Sequence, residues 1–313
     1  MFCIVSFIVL SILGIFSASN RELARESLDC VLRRVTLRPC NTGFDEKMKA
    51  RILGVVITRS EGAAMFLNRY FELLSWAFFI LMLSSIIFSV RGLALFYTTG
   101  SCNGANSEAF CVFDPSGSNN QTSTVSQGCT KPVAASEMTA RLNNIDLTQF
   151  PTLNSQSGQK IIMIACYHCD YSRKAYPEIR ALADHNNLGL IFLHYPVKES
   201  TDHFSKISYC VNKLAAEKFW AFNDEMFKGN KADLDNPEYV DGLLTSVGLD
   251  ADQINACAAD PATEKAVQEQ MHEIVRTGFQ GTPTVFINDQ VFVGPKPYRV
   301  YAIASQGLLY WLR

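Results

Sequence analysis

The sequence predicts an α/β domain interrupted by a helical insert and preceded by two transmembrane helices. Three observations predict it. Two long stretches near the N-terminus carry no charged side chain, two short apolar runs flank a helical pattern in the C-terminal half, and a long helical stretch separates that unit from a final strand pair.

The charge-free stretches are Met1 to Ser19 and Leu73 to Val90, the second extending past Arg91 to Tyr97. Both are long enough to cross a bilayer, the first only just, and the spans are placed at residues 1–19 and 72–97. Ser17-Ala18-Ser19 is small enough for signal-peptide cleavage, yet no Lys or Arg precedes the apolar run, which favours a retained helix. The intervening residues 20–71 carry ten basic side chains, from Arg21 to Arg69. The positive-inside rule assigns such a loop to the cytoplasm, with everything after residue 97 outside.

Cysteine usage agrees with that topology. Seven of the ten cysteines, Cys102, Cys111, Cys129, Cys166, Cys169, Cys210 and Cys257, fall on the external side, where disulfides form and persist. Cys30 and Cys40 lie in the basic loop and are expected as free thiols. With 28 basic and 30 acidic residues, the chain offers no electrostatic case for nucleic acid.

Residues 98–144 turn polar and small, centred on Ser116 to Ser123, with little apolar surface to offset the entropy of ordering. They read as an extracytoplasmic tether. Two of Cys102, Cys111 and Cys129 can close a small loop there, and the sequence does not say which two.

The domain proper occupies residues 145–313. Lys160 to Ala165 is an apolar run of buried-strand length. A helix follows on the spacing of Tyr176, Ile179, Leu182 and Ala183, with a kink expected at Pro177, and Gly189 to Tyr195 reads as a second buried strand, completing a βαβ unit. From about 202 to 277, apolar positions such as Tyr209, Leu214, Phe219, Trp220, Phe222, Met226 and Phe227 recur at helical spacings, with breaks at Gly229-Asn230 and Asn236-Pro237. Thr284 to Val293 predicts a hairpin turning at Asn288-Asp289-Gln290, and Pro297 to Leu309 a closing helix.

Cys166-Tyr167-His168-Cys169 leaves the first strand and opens the helix. A cysteine at a helix N-terminus meets unpaired N–H groups and the positive end of the macrodipole, both of which stabilise a thiolate. Cys166 is then the attacking sulfur and Cys169, one turn deeper, resolves the mixed disulfide. His168 between them can stabilise the reduced thiolate further, which makes the disulfide more oxidising. A zinc site needs a second ligand pair, and no other CxxC or CxxH occurs in the chain, so no metal is expected. A purely structural disulfide here closes too short a loop to stabilise much. His194, His203 and His272 lie outside any ligand spacing and read as surface or core residues.

Together with Gly281-Thr282-Pro283-Thr284 before the hairpin, this arrangement resembles the DsbA-type branch of the thioredoxin superfamily over roughly residues 145–313. The resemblance implies a thioredoxin fold interrupted by a helical domain, with Pro283 as a cis-proline beside the active-site sulfurs. It implies that the Thr282 backbone turns toward those sulfurs to hold an extended substrate segment. Tyr167, which stands where that branch commonly has proline, is placed with Thr282 and Pro283 on the substrate side. Some relatives carry a second, structural disulfide, for which Cys210 and Cys257 are the candidates, buried free thiols being the alternative.

The activity implied is dithiol–disulfide exchange that introduces disulfides into extracytoplasmic proteins from the cell membrane. Its partners are reduced or unfolded secreted proteins and a quinone-linked membrane thiol oxidase for reoxidation, with no bound cofactor. Thr282 is more familiar from disulfide isomerases, so an isomerase or reductase is the alternative within enzymes. A tethered chaperone or binding module is the alternative outside them, although such a module has no need of a reactive thiol.

Overall fold

The computed structural model describes residues 18–35, 44–58, 60–107, 109–124, 142, 145–197 and 201–312. The chain divides into two compact units, residues 1–90 and 91–313.

In the first unit, helices α1 (Ala18–Val35) and α2 (Phe44–Ile57) form the basic segment, and the 39-residue α3 (Glu61–Thr99) begins well before the expected span and continues into the second unit. Leu73, Leu81, Ile87 and Phe88 on α3 are 64–68% exposed, a density of open apolar surface unusual for a helix in water. Among the described residues α3 is the one helix long and apolar enough to cross a membrane. Most of the other expected span, residues 1–17, lies outside the described residues, and its last two, Ala18 and Ser19, open α1. Cys30 corrects the expectation of a free thiol: it is disulfide-bonded. It shares the buried stripe of α1 with Ser27, three residues earlier, where neighbours on one helix face meet. Cys40 lies outside the described residues.

The second unit is built on a five-stranded sheet, β2 (Thr152–Leu153), β4 (Gly189–His194), β3 (Lys160–Ala165), β6 (Thr284–Ile287) and β7 (Gln290–Val293) in spatial order. β3 and β4 are parallel and every other pairing is antiparallel. The parallel pair is joined by α4 (Asp170–His185), the expected βαβ unit, and Pro177 sits inside α4 without ending it.

β3 and β4 are apolar at nearly every position because both sheet faces are covered. Ile161, Met163, Leu190, Phe192, Val285 and Ile287 face a core shared with α4, the helical insert and α10 (Tyr298–Gln306). Ile162, Ile164, Ile191, Leu193 and Phe286 face the opposite core with Phe150 and Ile274. Each such side chain contributes about 1.5–3 kcal/mol by burial. At the β6–β7 turn Asn288 takes φ 55°, a left-handed conformation that asparagine tolerates.

The insert comprises α5 (Asp202–Leu214), α6 (Phe219–Lys228), α7 (Pro237–Ser246), α8 (Ala251–Ala258) and α9 (Pro261–Arg276). Asn236, Asp250 and Asp260 cap α7, α8 and α9, each accepting a backbone N–H through its side chain. These caps satisfy donors that a helix start leaves open.

Residues 100–107 and 109–122 differ from the expected tether. Cys102 and Cys111 are disulfide-bonded, and Asp114 accepts the backbone N–H groups of Ser118 and Asn119, both at 3.0 Å. Asn119 donates to the Gly100 carbonyl at 3.0 Å and Asn120 to the Ser107 carbonyl at 2.7 Å. Polar side chains bonded to backbone thus order a segment that has little apolar surface to bury. Two short strands, β1 (Ser123–Thr124) and β5 (Gly281–Thr282), pair antiparallel beside the main sheet. Cys129 lies outside the described residues.

Candidate active site

The site forms where β3 ends. Cys166 follows the last residue of β3, and the Cys169 N–H donates to the Cys166 carbonyl at 3.1 Å, closing one tight turn before α4 begins. Cys169, not Cys166, is the N-cap of α4, and its sulfur accepts the Ser172 N–H at 3.4 Å. Both cysteines are in the thiol form.

From the other side of the site, Thr282 precedes Pro283 through a cis peptide bond. The Cys169 thiol donates to the Thr282 carbonyl at 3.4 Å. The structure therefore brings the Cys166–Cys169 turn to the Thr282–Pro283 loop, more than 110 residues away in sequence. The Thr282 hydroxyl is buried with no hydrogen-bond partner among the described residues.

Tyr167 is placed differently from expectation. It is fully buried, with its hydroxyl donating to Asn223 Oδ1 at 2.6 Å and its ring stacked on His194 at 4.6 Å between centroids. A ring locked this way into the core has no surface for a substrate, and the insert supplies its polar partner. His168 stays at the site edge, its Nε2 lying 3.6 Å from Asp235 Oδ2. Cys210 and Cys257 are disulfide-bonded across the insert. His194 is a core residue whose Nδ1 meets Ser205 Oγ at 2.7 Å, and complete burial lowers its pKa to about 3. Among the described residues no group of three or more His, Cys, Asp or Glu side chains is arranged to hold a metal ion.

Several residues that shape the site carried no local signal. Burial pushes the Cys166 thiol above its ordinary value, against hydrogen bonds from the Val197 and His168 backbone and the Thr201 hydroxyl that pull it down. Desolvation outweighs the donors because Cys166 is 0% exposed. Arg173 on α4 donates to the Tyr167 carbonyl at 3.0 Å, to the Met226 carbonyl at 2.9 Å and to the Gly229 carbonyl, tying the cysteine turn to the insert. Lys231 of the insert pairs with Asp170 at 2.7 Å. In sequence these are a scattered Val, Thr, Arg and Lys, and only the tertiary fold gathers them.

A family model described as a DSBA-like thioredoxin domain matches residues 137–304. The chain belongs to the DsbA-like thioredoxin family. It is a thiol–disulfide oxidoreductase of that family, with Cys166-Tyr167-His168-Cys169 and the Thr282–Pro283 loop as its facing elements. This DsbA-like chain is also similar to solved structures. A thioredoxin-like oxidoreductase from Silicibacter pomeroyi DSS-3 is 23% identical with a TM-score of 0.45, over 53% of this chain and 94% of that one. The catalytic domain of Proteus mirabilis ScsC is 22% identical with a TM-score of 0.45, over 55% and 94%. The thiol-disulfide exchange protein alpha-DsbA2 from Wolbachia pipientis is 23% identical with a TM-score of 0.44, over 49% and 83%. No curated protein matches the chain significantly.

Proposed function

We propose that the chain is a membrane-anchored oxidase that donates disulfides to extracytoplasmic proteins, with Cys166 as the sulfur that meets substrate and Cys169 as the resolving sulfur. The observation that carries this reading is the meeting of the cysteine turn with the Thr282–Pro283 loop, where the Cys169 thiol lies 3.4 Å from the Thr282 carbonyl.

In the oxidised enzyme a substrate thiolate attacks Cys166 Sγ, the Cys166–Cys169 bond breaks, and Cys169 leaves as a thiolate facing the Ser172 N–H at the start of α4. A second substrate thiolate then attacks the substrate sulfur of the mixed disulfide, and Cys166 leaves as the second thiolate. The substrate is oxidised by two electrons, and the enzyme is left as a dithiol after taking up protons from solvent. A quinone-linked membrane thiol oxidase restores the disulfide, and α3 holds both proteins in one membrane plane. The Thr282 backbone guides the extended substrate and the His168 side chain borders the thiolates.

One observation favours a second reading, a reductase. Burial raises the Cys166 pKa, and a disfavoured thiolate makes the disulfide harder to reduce and the couple less oxidising. A trapping experiment tests the chemistry common to both. A Cys169→Ser chain mixed with a cysteine peptide activated as a disulfide accumulates a mixed disulfide at Cys166, whereas Cys166→Ser accumulates little at Cys169. Equal trapping in the two variants contradicts the assigned roles.

A further inference from the structure

Cys166, Cys169 and Thr282 are 0%, 1% and 0% exposed, so the site as built admits no protein thiol. The chain itself also occupies the backbone edge at Gly281–Thr282. Ser123 lies opposite Thr282 and Thr124 opposite Gly281 in an antiparallel pair, the geometry in which a sheet edge takes up an extended peptide.

The segment that delivers this strand is anchored at defined points. Asn106 donates to the Val291 carbonyl at 2.8 Å and accepts the Val293 N–H at 2.9 Å, filling the open edge of β7 as a strand residue would. The Lys296 ammonium, 2% exposed, donates to the Asn119 carbonyl at 2.7 Å and to the Asn120 side chain. Gly294, at φ +80°, lets the Asn120 backbone approach so closely that a Cβ there would stand 2.7 Å from its carbonyl carbon. The Cys102–Cys111 disulfide closes the segment upstream. Tyr171, which packs against Cys166 and Cys169, lines with Asp114, Asn120, Gln121 and Thr122 a cavity of about 430 Å³. Tyr171 thus brings the start of the active-site helix to the border of the segment.

We propose that residues 100–107 and 109–124 belong to a built-in strap whose Ser123–Thr124 strand occupies the peptide-binding edge, and that a substrate chain displaces this strand before its thiolate reaches Cys166. The proposal rests on the reading of Gly281–Thr282 as the substrate edge. The anchors at Asn106 and Lys296 hold the body of the strap. A pairing of only two residues is marginal by itself and opens without unfolding the domain. The strap thereby excludes bulky thiols and disulfides that lack an extended segment able to replace it.

Two variants of the full chain in detergent micelles test this. Ser123→Pro with Thr124→Pro removes two backbone donors from the strand, and Asn106→Ala leaves the strand intact but unpins the strap from β7. Cys166 is reduced and its alkylation by a polymer-linked maleimide is followed by peptide mass spectrometry, alongside exchange with glutathione. The double proline variant is expected to be alkylated about five-fold faster than the parent, as loss of the one strand N–H that can face β5 implies, with a smaller increase for Asn106→Ala. Rates equal to the parent in both variants overturn the strap. Absence of glutathione exchange in parent and variants alike instead removes the oxidoreductase reading, and the alkylation ratio still decides whether the strand covers Cys166.

Discussion

The Tyr167 hydroxyl donates to Asn223 Oδ1 across 2.6 Å, so the residue inside the redox motif is bonded to α6 of the helical insert. Arg173 adds bonds from α4 to the Tyr167, Met226 and Gly229 carbonyls. The insert thus fixes the backbone turn that sets the two sulfurs, and its stability and the geometry of the site are coupled.

Tyr167→Phe is expected to lower stability while leaving substrate affinity unchanged. The substitution strands a buried Asn223, a cost of about 1–3 kcal/mol, which urea unfolding reads as a lower midpoint at unchanged slope. A raised KM for peptide with unchanged stability would place Tyr167 on the substrate side after all.

The pH profile of Cys166 follows from its burial. Its folded value stands above the unfolded one, so the reduced protein retains this proton longer when folded. The stability this group contributes is full below the unfolded thiol value and is lost as pH rises through the folded value. Alkylation of Cys166 in the full chain should keep accelerating past pH about 8.5, the ordinary cysteine value. A plateau near neutral pH contradicts the buried ground state.

Lys296 has the opposite dependence. Burial lowers its pKa from 10.5 to about 7, opposed by the nearby Asp114 carboxylate. The unfolded chain therefore binds more protons between those values, and the stability from this group is full above the unfolded value and falls as pH drops through about 7. Lys296→Met is expected to flatten the rise in unfolding midpoint between neutral and alkaline pH. An unchanged slope rejects Lys296 as its source.

Loss of the Cys210–Cys257 disulfide, which links residues 47 apart, should destabilise the domain by about 2–4 kcal/mol. Chemical unfolding of the Cys210→Ala, Cys257→Ala double variant measures it. An unchanged midpoint means the insert holds together without the crosslink.

The parts legible in the sequence are those with a local pattern. β3 and β4 are continuous apolar runs because both faces are covered, the insert repeats at helical spacing, and the motif and Gly281-Thr282-Pro283 mark the two sides of the site. β1, β2 and β5 hold two residues each, too few for any alternation to register. The segment after residue 98 looks like a tether in sequence because its order comes from Asn106, Asp114, Asn119 and Asn120 side chains bonding backbone, and composition counts such residues as solvated. The motif position of Tyr167 points to substrate, while its burial is decided by Asn223 and His194, 56 and 27 positions away. The thiolate stabilisation expected for Cys166 met a desolvation that no neighbouring residue in sequence announces.

Donation of disulfides requires Cys166 and Cys169 to exchange as one redox couple of high potential. Equilibrating the full chain in micelles with glutathione buffers, and reading the pair by mass spectrometry with the Cys210–Cys257 bond monitored separately, measures it directly. A potential near about −120 mV is the predicted result, and one near about −270 mV assigns the chain to reduction. Failure of the pair to exchange at any glutathione ratio contradicts the claim altogether.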